Sequence, residues 1–118
     1  MKLGFLCPNL PGHLNPMTAL ARHLRARNHE VVFLYSTTTA GLPFVPAPEK
    51  DHFNESIAEM NKLKSGDASS LALRALMTEM EEILKTLPAM IRANGVDALV
   101  IDPGRFYAEL GAMQLAIP

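Results

Sequence analysis

The sequence has a single cysteine, Cys7, so no disulfide can form within the chain. Cys7 lies inside an apolar run and reads as a small buried hydrophobe. Charge of one sign is also lacking. The formal net charge is −1, which removes the electrostatic basis for binding nucleic acid or an anionic membrane surface. No apolar stretch approaches the ~20 residues of a membrane span. The short run at the N-terminus is broken by Pro8 and Pro11, so it does not read as a signal peptide, and the expected compartment is the cytoplasm. Phosphate-cradling glycine motifs are missing too. The first loop, Cys7-Pro8-Asn9-Leu10-Pro11-Gly12-His13, lacks a G-x-G-x-x-G turn. The second apolar run ends at Tyr35-Ser36 with no acid for a ribose hydroxyl. His13, His23, His29 and His52 have no ligand-like spacing, so no metal is expected.

What is present is a globular composition, 48% hydrophobic and 19% charged over 118 residues, enough for one domain with its own core. The stretch Leu3 to Arg27 organises the rest. Leu3, Phe5, Leu6 and Cys7 form a short apolar run suited to a strand covered on both faces. Pro8, Pro11 and Gly12 then read as a loop. Asn15-Pro16 predicts a helix start, with Asn as N-cap and Pro in the first turn. Met17, Leu20, Ala21 and Leu24 continue as one apolar stripe. Asn28 predicts a left-handed C-cap, and Val31 to Tyr35 a second strand, which completes a βαβ unit.

The segment Leu42 to Pro48 holds three prolines and reads as an edge strand or extended loop with Phe44 and Val45 pointing inward. Asp51 to Lys64 is weakly amphipathic, and Lys64-Ser65-Gly66-Asp67 reads as a break. From Leu73 to Ile91 the 3-4-3 spacing of Leu73, Leu76, Met77, Met80, Ile83, Leu84, Leu87, Met90 and Ile91 predicts a long helix, kinked or divided at Pro88 and closed by Asn94-Gly95. Glu79, Glu81, Glu82 and Lys85 read as its solvated face. The methionines read as core filler, with an adaptable apolar pocket as the alternative. Ala98 to Ile101 predicts another buried strand, followed by the turn Asp102-Pro103-Gly104. Tyr107 to Leu115 reads as a last helix with Leu110, Met113 and Ala116 inward. No strand follows, so an unpaired sheet edge is expected.

Two residues stand out as chemistry. His13 and Asp102 each follow the carboxyl end of a predicted parallel strand, where open α/β sheets bind ligands. A histidine beside a carboxylate has a fixed tautomer and a more basic second nitrogen. The pattern leaves two readings open: such a dyad, or a loop histidine and a helix-capping aspartate.

The segment Pro11-Gly12-His13-Leu14-Asn15-Pro16-Met17, followed by Leu20-Ala21 and His29-Glu30-Val31-Val32-Phe33, resembles the opening of the UDP-glycosyltransferase superfamily. The branch it resembles most is the bacterial macrolide and natural-product glycosyltransferases. Asp97 to Asp102, then Glu109-Leu110-Gly111 and Ala116-Ile117-Pro118, is similar to a later segment of the same family. The resemblance implies an α/β fold, a Rossmann-like three-layer parallel sheet forming the truncated N-terminal half of a GT-B enzyme. Residues 1–118 would be a single acceptor-binding domain, incomplete at its C-terminus and without the donor-binding domain.

By the same resemblance His13 would be the general base and Asp102 would orient it. Pro11, Gly12, Asn15, Phe44 and Met77 would contact a small hydrophobic acceptor. The co-substrate would be a UDP-sugar, attacked with inversion and without metal or other cofactor. The chain alone would then be inactive. It could be completed by a separate donor-domain partner, it could self-associate, or it could be a non-catalytic α/β binding module. Two departures from the family stand in the sequence: Asn28 where Gly is common, and Pro103-Gly104 where a bulkier apolar pair is common.

Overall fold

The computed structural model describes residues 1–36, 41–48 and 65–118, of which 65–68 by backbone alone. The expectation for Asp51 to Lys64, and with it His52 and Met60, lies outside the described residues. Four parallel strands, β1 (Lys2–Leu6), β2 (Glu30–Leu34), β3 (Phe44–Val45) and β4 (Ala98–Ile101), form one sheet in the order β3-β2-β1-β4. Among the described residues the helices are α1 (Pro11–Arg25), α2 (Ser65–Asn94) and α3 (Glu109–Gln114), with a 3₁₀ turn over Pro103–Ala108. The expected Rossmann-like α/β architecture is what the chain adopts.

Alternation along the strands divides the core into two layers. Leu3, Phe5, Cys7, Val31 and Phe33 pack toward Met17 and Ala21 of α1. Leu6, Val32 and Leu34 pack toward Ile83, Leu87, Met90 and Ile91 of α2, with Tyr107 and Ala108. Both faces of the sheet are therefore covered, which is why β1, β2 and β4 read as continuous apolar runs. Phe5 stands opposite Phe33 in register, and their rings stack at 5.1 Å.

Several boundaries differ from the sequence reading. Helix α1 starts at Pro11, four residues ahead of the Asn15-Pro16 signal, with Leu10 in an extended conformation before it. Pro11 has the same first-turn preference as Pro16, and the Leu10 carbonyl accepts the amides of His13 and Leu14 at 3.0 and 2.8 Å. Pro16 is accommodated inside the helix. Leu20 is 41% exposed and stands off the buried stripe of Met17 and Ala21.

At the other end of α1, Asn28 has φ 67°, the expected left-handed cap. The His29 amide reaches back to the Leu24 carbonyl and the Asn28 amide to that of Arg25. Gly95, with φ 60°, closes α2 in the same way.

Helix α2 begins at Ser65, so the sequence taken as a break is its first turn, and Pro88 does not divide it. Its apolar stripe is buried from Ile83 onward, whereas Leu73 and Met77 are exposed. Phe44 is 46% exposed rather than inward, because β3 pairs at the sheet edge and only Val45 packs on the core.

In α3 the buried residues are Gly111 and Ala112, while Leu110 and Met113 are exposed and Ala116 lies outside the helix. Gly111 sets this phase. A Cβ there would stand 2.6 Å from Leu87 Cδ2, so the helix approaches α2 on its smallest side. Strand β4 lies at the sheet edge, but that edge is not wholly unpaired as expected, since its Leu99 amide donates to the Pro118 carbonyl at 2.8 Å.

Gly4 occupies the central strand on the α2 side. A Cβ there would lie 2.9 Å from Val96 Cγ1 and 3.0 Å from Leu99 Cδ2. Gly4→Ala is expected to lower unfolding free energy by about 1–3 kcal/mol through overpacking. Denaturant titration followed by circular dichroism checks this, and an unchanged midpoint would contradict it.

Candidate active site

The strand order reverses beside β1, with β2 on one side and β4 on the other. The crevice at the carboxyl ends of β1 and β4 is the switch point where open α/β sheets accept ligands. His13 enters it from the first turn of α1 and Asp102 from the end of β4. The Asp102 amide donates to the Leu6 carbonyl at 2.8 Å, which fixes the end of β4 against the end of β1.

His13 Nδ1 and Asp102 Oδ1 are 2.9 Å apart. The same Oδ1 accepts the Gly104 amide at 2.7 Å. The carboxylate thus caps the 3₁₀ turn, not the last helix, and also meets the histidine. Its side chain is 12% exposed, against 42% for His13. A carboxylate partner takes the Nδ1–H tautomer of a neutral ring, which leaves Nε2 as a proton acceptor on the more exposed residue.

Gly104 is the residue whose importance sequence reasoning missed. A Cβ at this position would lie 2.9 Å from Pro8 Cγ, 3.0 Å from Asp102 Oδ1 and 3.4 Å from His13 Cε1. The absence of a side chain at Gly104 is thus what lets the turn close against the dyad. Gly12 proves different from its reading as a freed loop position. It lies in the first turn of α1, and a Cβ there would meet open space.

Glu79 was misread, and its partner Arg105 was not read at all. Arg105 is 3% exposed, and its Nη2 lies 2.6 Å from Glu79 Oε1 on α2, so Glu79 is not on the solvated face. The signal was present, because Glu79 falls three residues after Leu76 and four before Ile83, within the apolar stripe. Glu81 and Lys85 do form an exposed pair, at 2.9 Å. Tyr35 ends β2 with φ 58°, an unfavourable region for an aromatic residue. Its carbonyl accepts Asn9 Nδ2 at 3.1 Å and its hydroxyl meets Thr86 Oγ1 at 2.7 Å.

Of the residues expected to touch an acceptor, Pro11, Gly12 and Asn15 share the first turns of α1 with His13 and are exposed. Phe44 lines a groove of about 430 Å³ with Lys2, His29 and Glu30, at the amino ends of β1 and β2. Met77 is exposed on α2. A second groove of about 430 Å³ opens beside Asp102 and is lined by Leu99, Ile101, Phe106 and Met113. Among the described residues no cluster of His, Cys, Asp and Glu is arranged to hold a metal ion, and no helix is long and apolar enough to cross a membrane.

No family model matches the chain. In sequence it is 28% identical over 121 residues to the zeaxanthin glucosyltransferase of Pseudescherichia vulneris, an alignment covering 96% of this chain. The chain spans 28% of the length of that relative. Its fold is similar to SsfS6, a glycosyltransferase of Streptomyces sp. SF2575, with TM-score 0.66 and 21% identity over all of this chain and 38% of the other. It is similar to the glycosyltransferase VinC solved with dTDP, with TM-score 0.67 and 17% identity over all of this chain and 33% of VinC. A UGT transferase from Siraitia grosvenorii, solved with UDP, gives TM-score 0.61 and 17% identity over 99% of this chain and 22% of that one. In fold and in sequence, then, the chain is similar to the N-terminal part of GT-B glycosyltransferases, including bacterial natural-product enzymes.

Gly104→Ala is expected to push the turn off Pro8 and open the His13–Asp102 contact, at a stability cost of about 1 kcal/mol or more. A crystal structure of the variant checks the separation; a bond still at its original length would contradict the close-approach argument.

Burial raises the Cys7 thiol from 9.0 to about 11, with Arg105 opposing the shift and Asp102 adding to it. Burial also raises the phenols of Tyr35 and Tyr107. A raised acid favours the folded state only while neutral. The Cys7 contribution is therefore complete below about pH 9 and lost as pH rises toward 11. Stability measured from pH 8 to 11 is expected to fall, and to fall less steeply in Cys7→Ala.

Proposed function

We propose that the chain is the acceptor-side part of an inverting glycosyltransferase, with His13 as general base. The observation that supports this reading most directly is the 2.9 Å contact between His13 Nδ1 and Asp102 Oδ1 at the switch-point crevice. The acceptor is a small apolar alcohol or phenol, and the donor is a UDP-sugar. His13 Nε2 takes the hydroxyl proton of the acceptor. The acceptor oxygen forms a bond to the anomeric carbon as the bond from that carbon to the diphosphate oxygen breaks. The electron pair leaves with UDP, and the anomeric configuration inverts. Asp102 holds the ring and stabilises the imidazolium that forms. No metal enters these steps.

Pro11, Gly12 and Asn15 flank the base, and Met77 is the more distant acceptor contact; Phe44 lines the groove at the amino ends of β1 and β2, away from His13. The name of the sequence relative favours a glucosyl donor and an acceptor related to zeaxanthin. UDP and dTDP in two of the similar structures are compatible with a nucleoside diphosphate leaving group. Residues 1–118 act in the cytoplasm as an acceptor-binding domain that does not hold the donor tightly. This region is 22–38% of the longer similar chains, which favours a donor site outside residues 1–118.

Purified chain with UDP-glucose and a hydrophobic phenol is expected to show no turnover. Addition of a donor-binding domain is expected to restore it, and His13→Ala to lower the restored rate by about 10²–10⁴-fold. Turnover by residues 1–118 alone would remove the acceptor-side reading. A His13→Ala rate equal to wild type would remove the base.

A further inference from the structure

We propose that Arg105 is a positioning residue: through its buried ion pair with Glu79 it fixes the 3₁₀ turn on α2 and thereby sets the Asp102 carboxylate against His13. Three observations support this. First, Arg105 belongs to the same turn as Asp102, and its amide donates to the Asp102 carbonyl at 2.8 Å. Second, the turn leaves helical geometry at Arg105, with φ −125° and ψ 32°, where its side chain becomes 3% exposed and reaches Glu79 at 2.6 Å. Third, the pair is an expensive way to fill a core. Arg105 Nε and Nη1 are buried without a hydrogen-bond partner among the described residues. Unpaired buried donors cost free energy, and a buried ion pair is commonly no more stable than apolar side chains of the same volume. What the pair adds is direction: it ties one residue of the turn to one residue of α2.

The tie acts on the dyad because the turn has little other freedom. Pro103 fixes one φ, and Gly104 is wedged against Pro8 and the His13 ring. Rotation of the turn about the end of β4 is opposed from the α2 side by the Arg105 side chain. Loss of that tie lets Asp102 keep its cap to Gly104, two residues away, while drifting from His13, which is on a different element.

The test reads the dyad itself and not sugar transfer, so it stands or falls separately from the glycosyltransferase reading. The full chain is labelled with ¹⁵N-histidine, and His13 is assigned by its loss in His13→Gln. With the imidazole neutral, the wild type is expected to carry its proton on Nδ1, facing Asp102. The paired substitution Glu79→Leu with Arg105→Met removes both charges and keeps apolar volume. It is expected to remain folded and to shift the Nδ1–H to Nε2–H ratio by about tenfold or more, the weight of one hydrogen bond to a charged group. Arg105→Lys, which keeps the charge, is expected to retain part of the wild-type ratio. A folded double variant with the wild-type ratio overturns the proposal, since a merely structural pair would leave the tautomer unchanged. If the double variant does not fold, Glu79→Gln is read by the same criterion. It keeps an acceptor for Nη2 and loses only the charge. A shifted ratio supports the proposal and an unshifted one overturns it.

Discussion

One nearly buried carboxylate holds the carboxyl rim together. Asp102 is 12% exposed and accepts from both the Gly104 amide and His13 Nδ1. A carboxylate taken out of water needs such donors, because an unpartnered one would be neutralised or would not be buried. The same atom therefore ends a strand, starts a turn and orients an imidazole. Its own amide is held by Leu6, so the backbone that carries the carboxylate is fixed to the pairing of β1 and β4, while the turn that follows sets the direction of the side chain. Stability and the proposed chemistry share one set of hydrogen bonds here.

Much of this was legible in the residues, and the reasons are specific. β1, β2 and β4 show as apolar runs because each is covered on both faces. Asn28 and Gly95 mark helix ends because few other residues accept a positive φ. His13 and Asp102 could be placed on one rim because parallel strands bring all their carboxyl ends to the same side. Other features were hidden by competing signals. Asn15-Pro16 and Leu10-Pro11 are both credible helix starts, and only the closing of the first turn on the Leu10 carbonyl decides between them. The phase of α3 follows Gly111 and not the large apolar residues, because a close approach to Leu87 is available only where there is no side chain. Arg105 stands next to Phe106 and Tyr107, and nothing in local spacing says that the charged residue is buried and Phe106 exposed.

Three glycines do comparable work at three interfaces. Gly4 lets the central strand lie under Val96, Leu99 and Leu34. Gly111 lets α3 approach α2, and Gly104 lets the turn approach α1's loop and first turn. None of the three has a positive φ, so conformational freedom is not the reason for them. In each case the missing Cβ sets a distance between layers. The one at Gly104 sets the distance across the candidate site, which ties a single missing side chain to the geometry of the dyad.

The arrangement also separates two tasks that a sugar transfer must combine. Orienting a base needs only residues at the ends of β1 and β4, and both are supplied by one sheet within this chain. Holding a nucleotide diphosphate needs amides or cations converging on phosphate oxygens. The basic residues of α1, Arg22 and Arg25, lie in its last turn, at the end of the helix away from His13. Arg105, the cation nearest the dyad in sequence, is turned inward to Glu79. The charge that might have faced a diphosphate is thus committed to the core, where it fixes the turn. The basic side chains of α1 and of the 3₁₀ turn thus lie at the far end of the helix or are paired with Glu79, a placement that accords with the proposed acceptor-side role.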